Sequence, residues 1–397
     1  MAMSKRTAVR STLILLIAFL VFYPTITVAM GGSIQAFALT PKRRDSYYRL
    51  HTDGKWIKDN QGNIVILRGA AVFRRWMWAE SWVNFDPLGY VDENQEKYDL
   101  YASSGANFLR VQLNKWLWDN ANPTYTRAID TLLTWCKQRR IMVVLTFQTY
   151  DIYNYTSGAY VTWTKEQRVD YVVNGTMRDF MSTLASRYKS QPNVIGFEIM
   201  PERPRDTFWA AYREITPEQA RSEYRNGLIS AIRAIHDVSP DYLVFVYPSS
   251  DDELSRFVFE APISEPNVVY CEMRYVSWDK GWRAYADAYY SGDPRAYTLL
   301  EQEYQSLLFD VVDQGYPVLL METGTHGDLP ALTTYLNDLH TMFKKHQVGI
   351  CWWTFEREPV FGYVVLLQGR QDSKSTLTQF GLIWAQQMKD WNLAPAA

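Results

Sequence analysis

Two glutamates stand at the ends of short apolar segments in this sequence, where carboxylates could act as nucleophile, acid or base. Glu202 follows the segment Asn193–Met200, and Glu322 follows the segment Pro317–Met321. Two carboxyl groups roughly 5–5.5 Å apart form the arrangement that cleaves a glycosidic bond with retention of configuration. Either glutamate alone could instead cap a helix or pair with an arginine. The interpretation therefore depends on the elements that position them.

Eight short segments rich in β-branched and aromatic residues recur after residue 45, with room between them for a helix and its loops. They are Asn63–Ala70, Asn107–Leu113, Ile141–Phe147, Val194–Met200, Tyr242–Tyr247, Val268–Met273, Val318–Met321 and Gly349–Trp353. Intervening stretches carry apolar residues at helical spacing, namely Ala128–Arg140, Arg221–Ala234 and Leu332–Lys345.

This alternation of strands and helices predicts an α/β fold of the (β/α)8 TIM-barrel type, in a single domain over residues 45–393. The alternative is an open doubly wound sheet. No glycine-rich phosphate-binding turn follows an early strand, which disfavours that sheet and a nucleotide ligand. Strands 4 and 7 lie nearly opposite each other in an eight-stranded barrel, so Glu202 and Glu322 would face each other across its mouth. Their placement favours catalysis over separate structural roles.

Further motifs occur in a fixed order over roughly residues 52–385. They are Gly54–Gly62 and Ile66–Gly69 near the first strand, Gly105–Arg110 on the second, Asn193–Glu198 on the fourth, Pro317–Gly324 on the seventh and Gly349–Trp353 on the eighth. In this order and spacing they resemble glycoside hydrolase family 5, the cellulase-like family within the clan of retaining (β/α)8 enzymes. Each motif is weak alone, and their shared order makes the resemblance strong.

The resemblance implies a role for each matched position. Glu322 would be the nucleophile and Glu202 the general acid and base. The expected substrate-binding residues are Arg110, Gln148, Tyr275 and Trp353. Arg110 and Tyr275 would hold Glu322 ionised and oriented, and Trp353 would stack on a sugar ring. The mechanism requires neither a metal nor a cofactor.

Three positions depart from the family pattern. Pro201 stands where the family has an asparagine that binds the sugar 2-hydroxyl, and Gln148 and Met273 stand where it has histidines in the cleft. Loss of a hydrogen bond that strengthens in the transition state could cost several kcal/mol. The alternatives to a hydrolase of β-glucan or mannan are therefore a carbohydrate-binding pseudo-glycosidase and a transglycosylase. Retention of both glutamates argues against the pseudo-enzyme.

The first 38 residues have the pattern of a secretory signal. Lys5, Arg6 and Arg10 precede the apolar run Leu13–Phe22, and an Ala-Phe-Ala sequence ends at Ala38. The run is short for a bilayer span, although an uncleaved N-terminal anchor remains an alternative. We expect a secreted or anchored extracellular protein.

Composition excludes several other classes. The net charge is −2 and the pI about 6.3, so no basic face for nucleic acid is expected. Three cysteines are too few for a disulfide framework, and we expect buried free thiols. Aromatic residues reach 15%, which suits either an aromatic core or rings that stack on sugars. The expected partner is an oligosaccharide or polysaccharide, and the expected state is a monomer.

Overall fold

The computed structural model describes residues 49–72, 94–120, 123–148, 152–154, 159–161, 164–201, 204–249, 253–326, 329–356, 366–371 and 374–391. All of them belong to one compact unit. The signal-like segment 1–38 and Glu202 lie outside the described residues.

Eight parallel strands close into a barrel, which confirms the (β/α)8 prediction. The strands are β1 Arg68–Val72, β2 Phe108–Asn114, β3 Met142–Gln148, β4 Val194–Glu198, β5 Leu243–Val246, β6 Val268–Tyr275, β7 Val318–Gly324 and β8 Gly349–Trp352. Each pairs with its neighbours in the chain, and β8 closes the barrel against β1. The carboxyl ends of all eight strands therefore meet at one mouth.

Helices surround the barrel. They are α1 Gln95–Ser103, α2 Lys115–Asn120, α3 Thr124–Gln138, α4 Lys165–Val173, α5 Thr176–Tyr188, α6 Asp206–Arg213, α7 Pro217–Val238, α8 Leu254–Glu260, α9 Val276–Asp279, α10 Ala284–Ser291, α11 Ala296–Tyr304, α12 Asp310–Asp313, α13 Leu332–His346 and α14 Gln379–Asp390. A π-helical turn, Gln305–Phe309, joins α11 to α12. Antiparallel strand pairs outside the barrel are Leu50–Asp53 with Trp56–Asp59, Ile152–Asn154 with Ala159–Val161, and Leu367–Gln371 with Lys374–Leu377.

Helix boundaries follow from local capping chemistry. The Thr216 side chain accepts from the Gln219 N–H, and the Gln219 side chain accepts from the Thr216 N–H in return. This capping box, with Pro217 in the first turn, starts α7 four residues before the predicted Arg221. The predicted helices at α3, α7 and α13 are all present, and α3 also begins four residues earlier than its apolar pattern indicated.

Most strand ends lie within two residues of the prediction, β7 extends three residues further to Gly324, and the differences at β1 and β4 have a local cause. β1 starts at Arg68 rather than Asn63, because Ile64 instead forms an antiparallel bridge with Lys58 of the entry hairpin. β4 ends at Glu198 rather than Met200, because Met200 has a φ of 48°, a left-handed conformation that a parallel ladder does not accommodate.

Apolar side chains fill the lower interior of the barrel, including Phe108, Met142, Leu243, Leu319 and Cys351. A larger apolar layer fills the space between the strands and the helices. The cysteines Cys136, Cys271 and Cys351 are buried and free, as predicted. Within the described residues, none of the helices combines the length and the apolar character that a membrane span requires.

Candidate active site

Arg110 links two carboxylates inside the upper barrel. It lies on β2, two residues after the interior residue Phe108, so both side chains point inward. Its Nε donates to Glu198 Oε2 at 2.6 Å and its Nη2 donates to Glu198 Oε1 at 2.8 Å. Its Nη1 donates to Glu322 Oε2 at 2.5 Å. The guanidinium therefore forms two hydrogen bonds with Glu198 and one with Glu322.

Glu322 reaches the interior through an irregularity in β7. The strand changes its register with β8 between Leu320 and Thr323. Such a bulge re-aims side chains, and here both Met321 and Glu322 are buried on the interior side. The Tyr275 hydroxyl donates to Glu322 Oε1, while Arg110 occupies Oε2. Each carboxylate oxygen therefore has a donor that stabilises negative charge and fixes its orientation.

The three ionised groups are almost completely removed from solvent. The Arg110 and Glu198 side chains are 0% exposed, and the Glu322 side chain is 7% exposed. Burial opposes the charge of the guanidinium, but the attraction of Glu198 and then of Glu322 raises the pKa of Arg110 well above its ordinary range. Arg110 is therefore a permanent cation beneath the mouth of the barrel.

Tyr247, just after β5, completes the lower part of this network. Its hydroxyl donates to Glu198 Oε1. Burial and the charge of Glu198 raise the pKa of Tyr247 well above its ordinary range, so the phenol keeps its proton and remains a donor. Glu198 thus has donors on both oxygens, as a buried carboxylate requires.

No motif in the sequence marks Glu198 or Tyr247 as members of this network. In the sequence, Glu198 stands out only as the last residue of the motif Asn193–Glu198. A carboxylate inside an apolar strand is costly to bury without a cation, and Arg110 on a nearby strand has the same requirement. The need of each buried charge for an opposite partner is therefore the one feature of the sequence that could have predicted the pair Arg110–Glu198.

Trp353 lies directly after β8 and packs with the interior cluster that contains Tyr275. The backbone N–H of Trp353 donates to the Thr323 carbonyl at 2.7 Å, and the peptide bond between Trp353 and Thr354 is cis. Gly324 permits this approach: a Cβ there would lie 2.6 Å from the Trp353 carbonyl oxygen and 3.1 Å from a Tyr275 ring carbon. Only a glycine leaves room for both neighbours.

The three departures from the family pattern lie near the same mouth. Met273 is in register with Glu322 on the neighbouring strand, where its thioether offers no strong hydrogen bond. Pro201 is buried and lacks both an N–H and a side-chain amide. Gln148, at the end of β3, is buried, and its Oε1 has no partner among the described residues.

Two more buried polar atoms on β2 and β3 have no partner within the described part of the chain, namely Gln112 Oε1 and Thr146 Oγ1. Gln112 and Thr146 are in register with each other, as are Asn114 and Gln148. Because buried polar groups normally form hydrogen bonds, this wall of the barrel can accept hydrogen bonds from water or from hydroxyls of a ligand.

The structure thus brings Arg110, Tyr275 and Glu322 into hydrogen-bond contact, with Trp353 beside them. Gln148 lies on a neighbouring wall. Glu202 lies outside the described residues, so its separation from Glu322 remains a prediction. Among the described residues, no cluster of three or more histidine, cysteine or acidic side chains is placed to hold a metal ion.

Comparison with known proteins gives a family and a fold. The model of the family Cellulase (glycosyl hydrolase family 5) matches residues 59–358. No curated protein matches the chain in sequence.

Three solved structures illustrate the fold. A β-glucanase of Saccharophagus degradans is 16% identical in sequence to this chain and superposes with a TM-score of 0.59. The match covers 86% of this chain and 93% of the β-glucanase. The catalytic domain of the major endoglucanase of Xanthomonas campestris pv. campestris is 15% identical with a TM-score of 0.59, over 86% and 99% of the two chains. An endogalactoceramidase is 18% identical with the same TM-score, over 86% and 84%.

Proposed function

Since the chain belongs to glycosyl hydrolase family 5 and is a glycoside hydrolase of the cellulase type, we propose that it cleaves β-glycosidic bonds with retention of configuration. Glu322 is the nucleophile and Glu202 the general acid and base. The observation that carries the proposal is the buried Glu322 carboxylate at the mouth, with Arg110 on one oxygen and Tyr275 on the other.

In the first step, Glu322 attacks the anomeric carbon and forms a bond to it. The bond from that carbon to the glycosidic oxygen breaks, and Glu202 gives its proton to the departing oxygen. Arg110 and Tyr275 hold the attacking carboxylate in place before the reaction, which reduces the entropy lost in reaching the transition state.

In the second step, a water molecule replaces the departed alcohol. Glu202, now ionised, takes a proton from the water while the water oxygen forms a bond to the anomeric carbon. The bond to Glu322 breaks and its carboxylate is restored. Two inversions at one carbon return the original β configuration.

The proposed substrate is a β-linked glucan or mannan. Structural neighbours support the glucan: a β-glucanase of Saccharophagus degradans and an endocellulase of Pyrococcus horikoshii are described in complexes with cellotetraose. Trp353, which follows β8 at the mouth, is the residue on which we expect a pyranose to stack. The polar wall formed by Gln112, Thr146 and Gln148 supplies acceptors for sugar hydroxyls.

A carbohydrate-binding protein with little turnover is the second candidate function. It is favoured by Met273 and Pro201, which provide no hydrogen-bonding side chain where the family has a histidine and an asparagine. A third outcome is transfer of the glycosyl group to a second sugar rather than to water.

A panel of β-glucans, β-mannans and their oligosaccharides tests these alternatives. We expect release of reducing ends from at least one member, and loss of that release in the isosteric variant Glu322→Gln. Product lengths greater than that of the substrate would indicate transglycosylation. Binding of a glycan without release of reducing ends would support the non-catalytic function and contradict the proposal.

We further propose that residues 1–38 direct the protein out of the cytoplasm, as a cleaved signal or as an anchor. Mass spectrometry of the protein recovered after export should show an N-terminus near residue 39, or the intact segment in a membrane fraction. Recovery of the full-length chain from the soluble cytoplasm alone would contradict export.

A further inference from the structure

Two tryptophans follow β6 on the side of the barrel where the active site lies. Trp278 belongs to α9 and is 61% exposed, and Trp282, four residues later, is 86% exposed. Indole rings are large and mostly apolar, and such exposure on a soluble protein often marks a binding surface. Neither residue belongs to a motif that the sequence reveals.

Trp278 is continuous with the catalytic network. Its ring centroid lies 4.4 Å from that of Tyr275, with 38° between the ring planes. Tyr275 in turn donates its hydroxyl to Glu322. The three-residue spacing at the start of α9 brings the two rings to one side of the helix. The exposed Trp278 ring is therefore joined to the nucleophile through the buried ring of Tyr275.

The segment that carries Trp278 is held in place by several hydrogen bonds. The Tyr285 hydroxyl donates to the Asp279 carboxylate, and the backbone N–H of Trp282 donates to the Asp279 backbone carbonyl at 2.9 Å. The Gly281 N–H donates to Asp287 Oδ1 at 2.7 Å. A surface fixed before binding loses little entropy when a ligand is bound.

The charges around Trp278 favour a sugar over a membrane. Lys280 lies over the Tyr290 ring at 4.1 Å, and Arg283 pairs with Glu303 at 3.1 Å. A surface that binds anionic lipid normally adds a cluster of basic residues to its aromatic side chains. Here the neighbouring basic residues already have partners, and Arg274 pairs with Asp279 at 3.8 Å.

We propose that Trp278 forms the stacking face of an additional sugar subsite, next to the sugar unit that Glu322 attacks. Its ligand is a pyranose unit of a β-linked chain. This inference rests on the proposed function. It adds a determinant of chain-length preference outside the catalytic network.

Kinetics on long and short substrates test the subsite. For Trp278→Ala we expect kcat/KM on cellohexaose to fall about tenfold, mostly through KM, as loss of one aromatic stacking contact predicts. This loss should be about fivefold greater than the loss on β-glucosyl fluoride, which has one sugar unit and no aromatic leaving group and therefore cannot reach a neighbouring subsite. Trp278→Phe keeps a flat ring and should recover most of the loss. Phe259→Ala, which removes an exposed aromatic side chain from α8, is the matched control and should leave both substrates unaffected.

Equal losses on both substrates would show that Trp278 only positions Tyr275, and would overturn the subsite. Unchanged kinetics of Trp278→Ala on both substrates would also overturn the subsite. If the same variant bound phosphatidylserine vesicles more weakly than the wild type, the surface would bind a membrane instead. If the wild-type protein hydrolyses neither substrate and releases no reducing ends from the glycan panel, the proposed function fails. Calorimetry with cellohexaose then tests the subsite independently, since weaker binding by Trp278→Ala would support it and equal binding would refute it.

Discussion

Replacing Glu322 by alanine is expected to lower kcat on a natural β-glycan by at least about 10^4-fold, because the variant has no nucleophile to form the glycosyl-enzyme. The fold should survive the change. Arg110 keeps its two bonds to Glu198, so the guanidinium is not left buried without a counter-charge. A melting temperature close to that of the wild type should accompany the loss of activity.

Azide should then separate the two glutamates by product stereochemistry. In Glu322→Ala, azide can enter from the side of the missing carboxylate and should give an α-glycosyl azide. In Glu202→Ala, an activated leaving group needs little protonation, so Glu322 can still form the intermediate, and azide should give a β-glycosyl azide. The anomer is read by NMR of the fresh product. The same anomer from both variants would contradict the assignment of roles.

Replacing Arg110 by alanine is expected to reduce the free energy of unfolding by about 3–5 kcal/mol, because Glu198 and Glu322 would remain buried without their cation. Activity should also be lost, since Glu322 loses the donor on its Oε2. The midpoint of urea unfolding measures the first effect, and turnover of the best glycan measures the second.

A double variant distinguishes the charge effect from lost packing. Arg110→Met combined with Glu198→Met removes the cation and its doubly bonded partner together, so it should be more stable than Arg110→Met alone. It should nevertheless remain inactive, because Glu322 still lacks the guanidinium. If the double variant were less stable than the single one, the ion pair would not explain the stability effect.

The barrel was predictable because its signal is local and repeated. Strands buried on both faces appear as continuous apolar segments, and Val268–Met273 or Gly349–Trp353 could be recognised without knowledge of their partners. The ends of the strands were less predictable. The backbone conformation at Met200, which ends β4, depends on the turn that follows it and leaves no mark in an apolar pattern.

The active site was predictable where a motif marks it and less so where a long-range contact defines it. Glu322, Arg110 and Tyr275 were identified from strand ends and from the family resemblance, and the structure places them in contact. The bonds from Arg110 and Tyr247 to Glu198 join residues 88 and 49 positions apart, so no local pattern indicates them. Trp278 was missed because exposure and ring contact are properties of the folded chain.

The central claim, that Glu322 forms a covalent bond to the sugar, can be tested directly by trapping. A 2-deoxy-2-fluoro-β-cellobioside with an activated leaving group slows both steps, because fluorine destabilises the oxocarbenium-like transition state, but the leaving group keeps the first step fast enough to accumulate the intermediate. Mass spectrometry of the digested protein should find one fluorocellobiosyl group per chain, attached to the side chain of Glu322. A label on a different residue, or an unlabelled enzyme that releases an inverted product from the natural glycan, would contradict the account.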